Sequence, residues 1–173
     1  MQIVVVGGDA AGMSGASQVR RRRPEWPITV VERGAFTSYA ACGIPYFLAG
    51  DIATADDLVV VTPQAFREKR HIDVRTGWEA VALDPKARRL VARRPDGGEE
   101  ALPYDRLLLA TGALPVRPEW EGMALSGVFL LRNLADGIAL SGRLHAGAGR
   151  AVVVGAGYVG LEMAEAFARR GLE

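Results

Sequence analysis

The stretch "IVVVGGDAAGMSGASQVRRRR", residues 3–23, constrains the fold more than any other, because its pattern returns as "AVVVGAGYVGLEMAEAFARRGLE" at residues 151–173. Each copy is a short apolar run, a glycine-rich turn and a helix-period segment. A continuous apolar strand feeding a helix belongs in a parallel sheet covered on both faces, since a sheet with one wet face alternates polar and apolar residues. "ITVVER", residues 28–33, is a second such strand, reached after Pro24 and Pro27 stop the first helix near Arg23. Two buried strands joined through a helix begin an α/β fold built on a parallel sheet.

Farther along, "TPQAFREKR" predicts a short helix, with Thr62 as N-cap and Pro63 at the first helical position. From Ile72 to about Leu102 the chain alternates polar and apolar residues between the turn signals "DPK" and "PDGG", which predicts an antiparallel meander. "DRLLLATGALP" reads as a buried strand ending in a turn, Asn133 as the cap of a helix to about Leu144, and Ala151 to Val154 as another strand. No strand follows the last helix before Glu173, so its βαβ unit is incomplete and the chain reads as the first part of a longer protein. Trp26, Trp78 and Trp120 are expected to pack beneath loops or sheet edges.

A net charge of +1 over 173 residues gives no electrostatic case for nucleic acid or a membrane surface. No apolar run is long enough for a membrane helix, and "QIVVVGG" lacks a basic leader, which together point to a cytosolic protein. The one cysteine, Cys42, cannot form an intrachain disulfide, so any redox use needs an outside sulfur species or peroxide. Its surroundings, "SYAACGIPYFLAG", leave two readings open: a buried packing thiol, or a thiolate favoured by the positive end of a helix started by Pro45.

Gly155, Gly157 and Gly160 complete the dinucleotide fingerprint GxGxxG, with Tyr158 and Val159 inside it, placed after a strand and at the start of a helix. The first loop, Gly7, Gly8, Asp9, Ala10, Ala11 and Gly12, carries aspartate where the fingerprint has its middle glycine. Glu32 lies about twenty residues beyond Gly12, where a carboxylate reaches ribose hydroxyls. A plain strand-to-helix turn without ligand is the alternative for this loop. The run Arg20 to Arg23 ends a helix, where cations suit the macrodipole and are commonly just solvated.

"GGDAAGMSGASQVRR", "SYAACGIPY", "LLLATGA" and "VVVGAGYVGLEMAE", in this order, resemble the flavin-dependent pyridine nucleotide-disulfide oxidoreductases, in particular their single-cysteine branch of coenzyme A-disulfide reductases, persulfide and polysulfide reductases, and NADH oxidases and peroxidases. The resemblance implies a Rossmann-like FAD domain over residues 1–112 with an inserted meander, then the truncated start of a Rossmann-like NAD(P)-binding domain over 113–173. It implies that the first loop, Glu32 and Arg33 hold the ADP half of FAD, that Ala80 lies by the adenine, and that Ala110, Thr111 and Gly112 approach the flavin. Cys42 would pass electrons from NAD(P)H and FAD to coenzyme A disulfide or a related persulfide. Ser14, Gln18, Arg21, Ser38 and Arg70 would bind that substrate, the arginines because a planar guanidinium suits phosphate. Arg22 and Arg23 are expected to face solvent. Peroxidases and oxidases of the branch place histidine in the first loop; here Ala10 stands there, and the only histidines are His71 and His145. Ala41 stands where the coenzyme A enzymes often have asparagine. The branch further implies a homodimer, and that this chain alone turns over no substrate.

Overall fold

A computed structural model describes residues 1–173. The chain packs as two units, one of residues 1–39 and 59–112, the other of residues 40–58 and 113–173.

In the first unit, strands β1 (Ile3–Val6), β2 (Ile28–Glu32), β3 (Asp73–Thr76) and β7 (Arg106–Leu109) form one parallel sheet in the order β3-β2-β1-β7. Helix α1 (Ala10–Arg22) is the crossover from β1 to β2, and helix α3 (Pro63–Arg70) precedes β3. Thr62 caps α3 by accepting from the Ala65 N–H at 3.1 Å, as its position implies. Strands β4 (Glu79–Asp84), β5 (Arg89–Arg93) and β6 (Glu99–Pro103) form a separate antiparallel meander.

Why this makes three layers follows from the two-residue period of a strand. Ile3 and Val5 point to one face with Val30 and Val74, where Met13 and Ala16 of α1 and Phe66 of α3 cover them. Val4 and Val6 point to the other, with Val31, where Leu90, Ala92 and Leu102 of the meander cover them. Both faces of β1 and β2 are therefore dry, which is why their sequences do not alternate.

One expectation is corrected here. Residues 73–76, assigned to the meander by their alternation, pair in parallel with β2, Thr29 opposite Asp73 and Val31 opposite Arg75. An edge strand has polar residues for the same reason a meander does, because it is covered less completely. Arg75 spends its charge between layers: its guanidinium bonds Asp73 at 2.8 Å and Glu100 of β6 at 2.9 Å, and lies 4.8 Å from the Trp78 ring centroid. Burial, the largest single influence, works against its charge, but the two carboxylates outweigh it and raise its pKa.

In the second unit, a 3-10 turn at Ala41–Gly43 leads into α2 (Ile44–Ala49), with α4 (Leu134–His145) and α5 (Tyr158–Arg169). Asn133 and Asp136 close a capping box on α4, their side chains exchanging bonds with each other's backbone N–H at 3.0 Å. Arg169 of α5 forks onto Asp51 at 2.6 and 2.7 Å, and Arg170 donates to the Leu48 carbonyl.

A second expectation fails in this unit: Ala151 to Val154 form no strand, and Val152 and Val154 are exposed. An apolar run becomes a strand only where a neighbour takes its backbone bonds. One parallel rung is present, Ala151 N–H to the Glu173 carbonyl and Glu173 N–H to the Gly149 carbonyl, bracketing Arg150. Trp120 also departs from expectation, being exposed.

Candidate functional site

The two glycine loops are built alike. Gly7 has φ +107° and Gly155 φ +111°, a region in which an L side chain is strained. A Cβ on Gly12 would strike the Gly7 carbonyl oxygen, and one on Gly160 would strike that of Gly155, so the last glycine of each loop lets its helix sit against the turn. Asp9, in place of the middle glycine, is the N-cap residue of α1. Gly157 is that of α5, with Tyr158 and Val159 exposed in the next turn.

Glu32 ties the first loop to the end of β2. Its Oε2 accepts from the Gly8 N–H and its Oε1 from the Gly34 N–H, both at 2.6 Å. Each carboxylate oxygen has a second lone pair, so the group can still accept from a ligand hydroxyl. A Cβ on Gly8 would lie 2.8 Å from that of Glu32, so only glycine leaves room here. On the β7 side the Ala110 N–H bonds the Val6 carbonyl and the Ala110 carbonyl lies against Gly7, with Thr111 and Gly112 (φ +68°) following. Ala10 and Ala11 open α1 and are exposed. Ala80 is half-buried on β4 beside an irregularity in its register with β5, and Arg33 is exposed, 3.9 Å from Glu79. A bare loop edge, an acceptor at the strand end and glycine where a side chain would fill the space fit a dinucleotide phosphate and ribose.

Beside this loop the first unit holds a cavity of about 210 Å³. Ser14, Ser17 and Arg21 reach it from one face of α1, at the i, i+3, i+7 spacing of a helix stripe. Ser38 and Arg70 complete its polar lining over a floor of Met13 and Phe66, and no acidic residue lines it. Four of the five residues assigned to substrate from the sequence thus meet at one cavity. The fifth, Gln18, is not in the lining; its Oε1 accepts from Arg21 Nη2 at 2.5 Å. Ser17 and Phe66 join the lining without a signal in the family motifs. Ser38 has φ +48°, an unfavourable region for serine, fixed by its N–H bond to the Gly8 carbonyl and by its carbonyl's bond from Val60.

Cys42 lies in the 3-10 turn before α2 and is exposed, which removes the reading of it as a buried packing thiol. Pro45 stands in the first turn of α2, as its residue type implies.

The whole chain, residues 1–173, matches the family of pyridine nucleotide-disulphide oxidoreductases. The chain belongs to that family. FAD is the family's standard cofactor, used with NAD(P)H. The NAD(P)H coenzyme A polysulfide/persulfide reductase of Pyrococcus horikoshii is 40% identical over 171 residues, 98% of this chain and 38% of that protein. The NADH oxidase of Methanocaldococcus jannaschii is 37% identical over 100% of this chain and 39% of its own length. Among solved structures, a NAD-dependent persulfide reductase from A. fulgidus superposes with a TM-score of 0.96 at 37% identity, covering 100% of this chain and 33% of that one. The chain therefore spans less than two-fifths of the curated relatives it matches. The parallel sheet, crossover helix and meander are the Rossmann-like FAD-binding fold of this oxidoreductase family. No helix is long and apolar enough to cross a membrane.

Proposed function

We propose that this chain supplies the FAD-binding domain, residues 1–112, and the start of the NAD(P)-binding domain, residues 113–173, of an enzyme that reduces coenzyme A disulfide or a related persulfide through Cys42. The observation that carries this reading is the cavity lined by Arg21, Arg70 and three serines without an acidic residue. Two permanent cations with neutral hydroxyls between them suit phosphate esters, and coenzyme A is a phosphate-rich thiol. The kinship with a coenzyme A polysulfide/persulfide reductase supports the same substrate class.

In this reading Gly7, Gly8, Ala10, Ala11, Gly12, Glu32 and Arg33 hold the ADP half of FAD, with Ala80 and the Ala110 to Gly112 segment bordering it. Gly155 to Gly160 hold NAD(P)H. FAD, when bound, supplies a two-electron relay from NAD(P)H. Cys42 attacks one sulfur of the disulfide as a thiolate, an Sγ–S bond forms, and the other half leaves as a thiolate. Two electrons and a proton then return the mixed disulfide to Cys42 thiolate and a free thiol. Ser14, Ser38, Arg21 and Arg70 meanwhile hold the phosphate-bearing end. The enzyme is taken to be a cytoplasmic homodimer, and the 173-residue chain to be without turnover by itself, because residues 151–154 stand outside any sheet in it.

The identity to an NADH oxidase favours a second reading in which oxygen or peroxide is the acceptor. Ala10 counts against it, since the first loop offers no imidazole. The two separate by NAD(P)H consumption in the full-length, FAD-loaded protein: coenzyme A disulfide should support turnover in the absence of oxygen. Turnover that requires oxygen and ignores the disulfide would replace the first reading with the second.

A further inference from the structure

Arg70, the last residue of α3, is held on two sides within the first unit. Its Nη1 donates to Ser17 Oγ at 3.1 Å, and its Cζ lies 4.9 Å from the Phe66 ring centroid. Phe66 is 1% exposed, so the ring under the guanidinium is fixed by the core. A free surface arginine must be ordered when a ligand arrives, and that ordering weakens binding; one already stacked and tied loses less.

The tie is made by a neutral oxygen. An aspartate at position 17 would hold the guanidinium as firmly but would cancel its charge toward a phosphate. The other cavity cation, Arg21, is tied in the same way by a neutral amide, Gln18. Both guanidiniums are thus oriented while the cavity keeps its full positive charge.

Resting on the reading of this cavity as the phosphate-ester site for a coenzyme A thiol, we infer that Ser17 is a positioning residue for substrate binding. Its hydroxyl, with the Phe66 ring, sets the Arg70 guanidinium across the cavity, leaving the remaining N–H donors to the ligand. Ser17 acts through Arg70 and makes no contribution of its own to the ligand's affinity.

The test is a double-mutant cycle in the full-length, FAD-loaded protein, with coenzyme A disulfide as substrate and kcat and KM measured separately. Arg70→Ala should raise KM about 10- to 100-fold, the range for a lost charge-assisted hydrogen bond. Ser17→Ala should raise it roughly three- to tenfold, and Ser17→Thr, which keeps a hydroxyl, by no more than about twofold. In an Arg70→Ala background, Ser17→Ala should add nothing. The flavin content should stay within about twofold throughout, and the change should fall on KM more than on kcat, because the phosphates of coenzyme A are remote from its sulfur. An equal rise in KM from Ser17→Ala with and without Arg70 would make the hydroxyl a direct ligand contact and overturn the inference. A silent Ser17→Ala beside a damaging Arg70→Ala would also overturn it while leaving the cavity's role intact. A silent Arg70→Ala would overturn both.

Discussion

Removing the carboxylate of Glu32 should loosen the first glycine loop and the dinucleotide site together. Its two oxygens hold the N–H groups of Gly8 and Gly34 at 2.6 Å, the first bond partly buried and the second exposed. A hydrogen bond to a charged group contributes about 1.5–3 kcal/mol when shielded, and an exposed one roughly 0.5–1 kcal/mol, so Glu32→Ala should cost about 2–4 kcal/mol. Glu32→Gln keeps one acceptor but turns an NH₂ toward the other donor, so it should recover less than half of that loss. Urea unfolding of the flavin-free chain, followed by circular dichroism, reads the stability change as a fall in midpoint with unchanged slope. FAD titration of the same variants reads the loss of affinity, expected at roughly 10- to 100-fold for Glu32→Ala if a ribose hydroxyl also bonds this group. An Ala variant with the wild-type midpoint would show that Glu32 does not tie the loop. A glutamine variant indistinguishable from wild type in both assays would refute the role of charge.

Arginine roles can be separated in the same enzyme: Arg21→Ala should raise KM for coenzyme A disulfide about 10- to 100-fold, whereas Arg23→Ala, whose guanidinium lies over Trp26 outside the cavity, should leave it unchanged; equal effects would reduce the cavity to a diffuse positive field. Asp96 has its pKa lowered, chiefly by the hydrogen bond from the Gly98 N–H; desolvation opposes this, and the charge and hydrogen bond of Arg94 add to the lowering. A depressed carboxyl pKa gives stability that is full above the unfolded value near 3.8 and is lost as pH falls through the folded one. Asp96→Asn should therefore be slightly less stable than the wild type at pH 7 and converge with it as pH falls below 3.8 through the folded value, which flattens a small part of the acid limb; a variant as stable as the wild type at pH 7, or a gap that persists unchanged in acid, would refute this contribution of the charge.

Features that depend on neighbours in sequence were legible in it. Thr62 and Asn133 cap their helices where their residue types and the following Pro63 and Asp136 imply, and the glycine loops sit between strand or apolar run and helix as their spacing requires. What went astray depends on partners far along the chain. The alternation of residues 73–76 describes how a strand is covered and says nothing of which strand it joins; here the partner is β2, some forty residues earlier. Val152 to Val154 had strand composition and lacked the neighbour that makes a strand. At the cavity, Ser14, Arg21, Ser38 and Arg70 follow from the family resemblance. Ser17 could have been added by helix arithmetic, since it lies between Ser14 and Arg21 on one stripe of α1. Phe66 could not, because its place under Arg70 depends on how α3 packs against the sheet beside α1. Gln18 shares a turn with Arg21, and the i, i+3 rule anticipates their bond.

The most direct test of the central claim is the full-length, FAD-loaded Cys42→Ser variant under anaerobic stopped-flow, with NADH or NADPH in the first syringe and coenzyme A disulfide in the second. Serine matches cysteine in size, and Cys42 is exposed, so the substitution should leave folding and flavin content intact. The account predicts that the reduced nicotinamide bleaches the flavin at close to the wild-type rate, and that the disulfide then fails to restore its colour, with steady-state disulfide reduction falling by at least about a thousandfold. Re-oxidation of the flavin by coenzyme A disulfide at the wild-type rate in that variant would contradict the account, because electrons would then be reaching sulfur without Cys42.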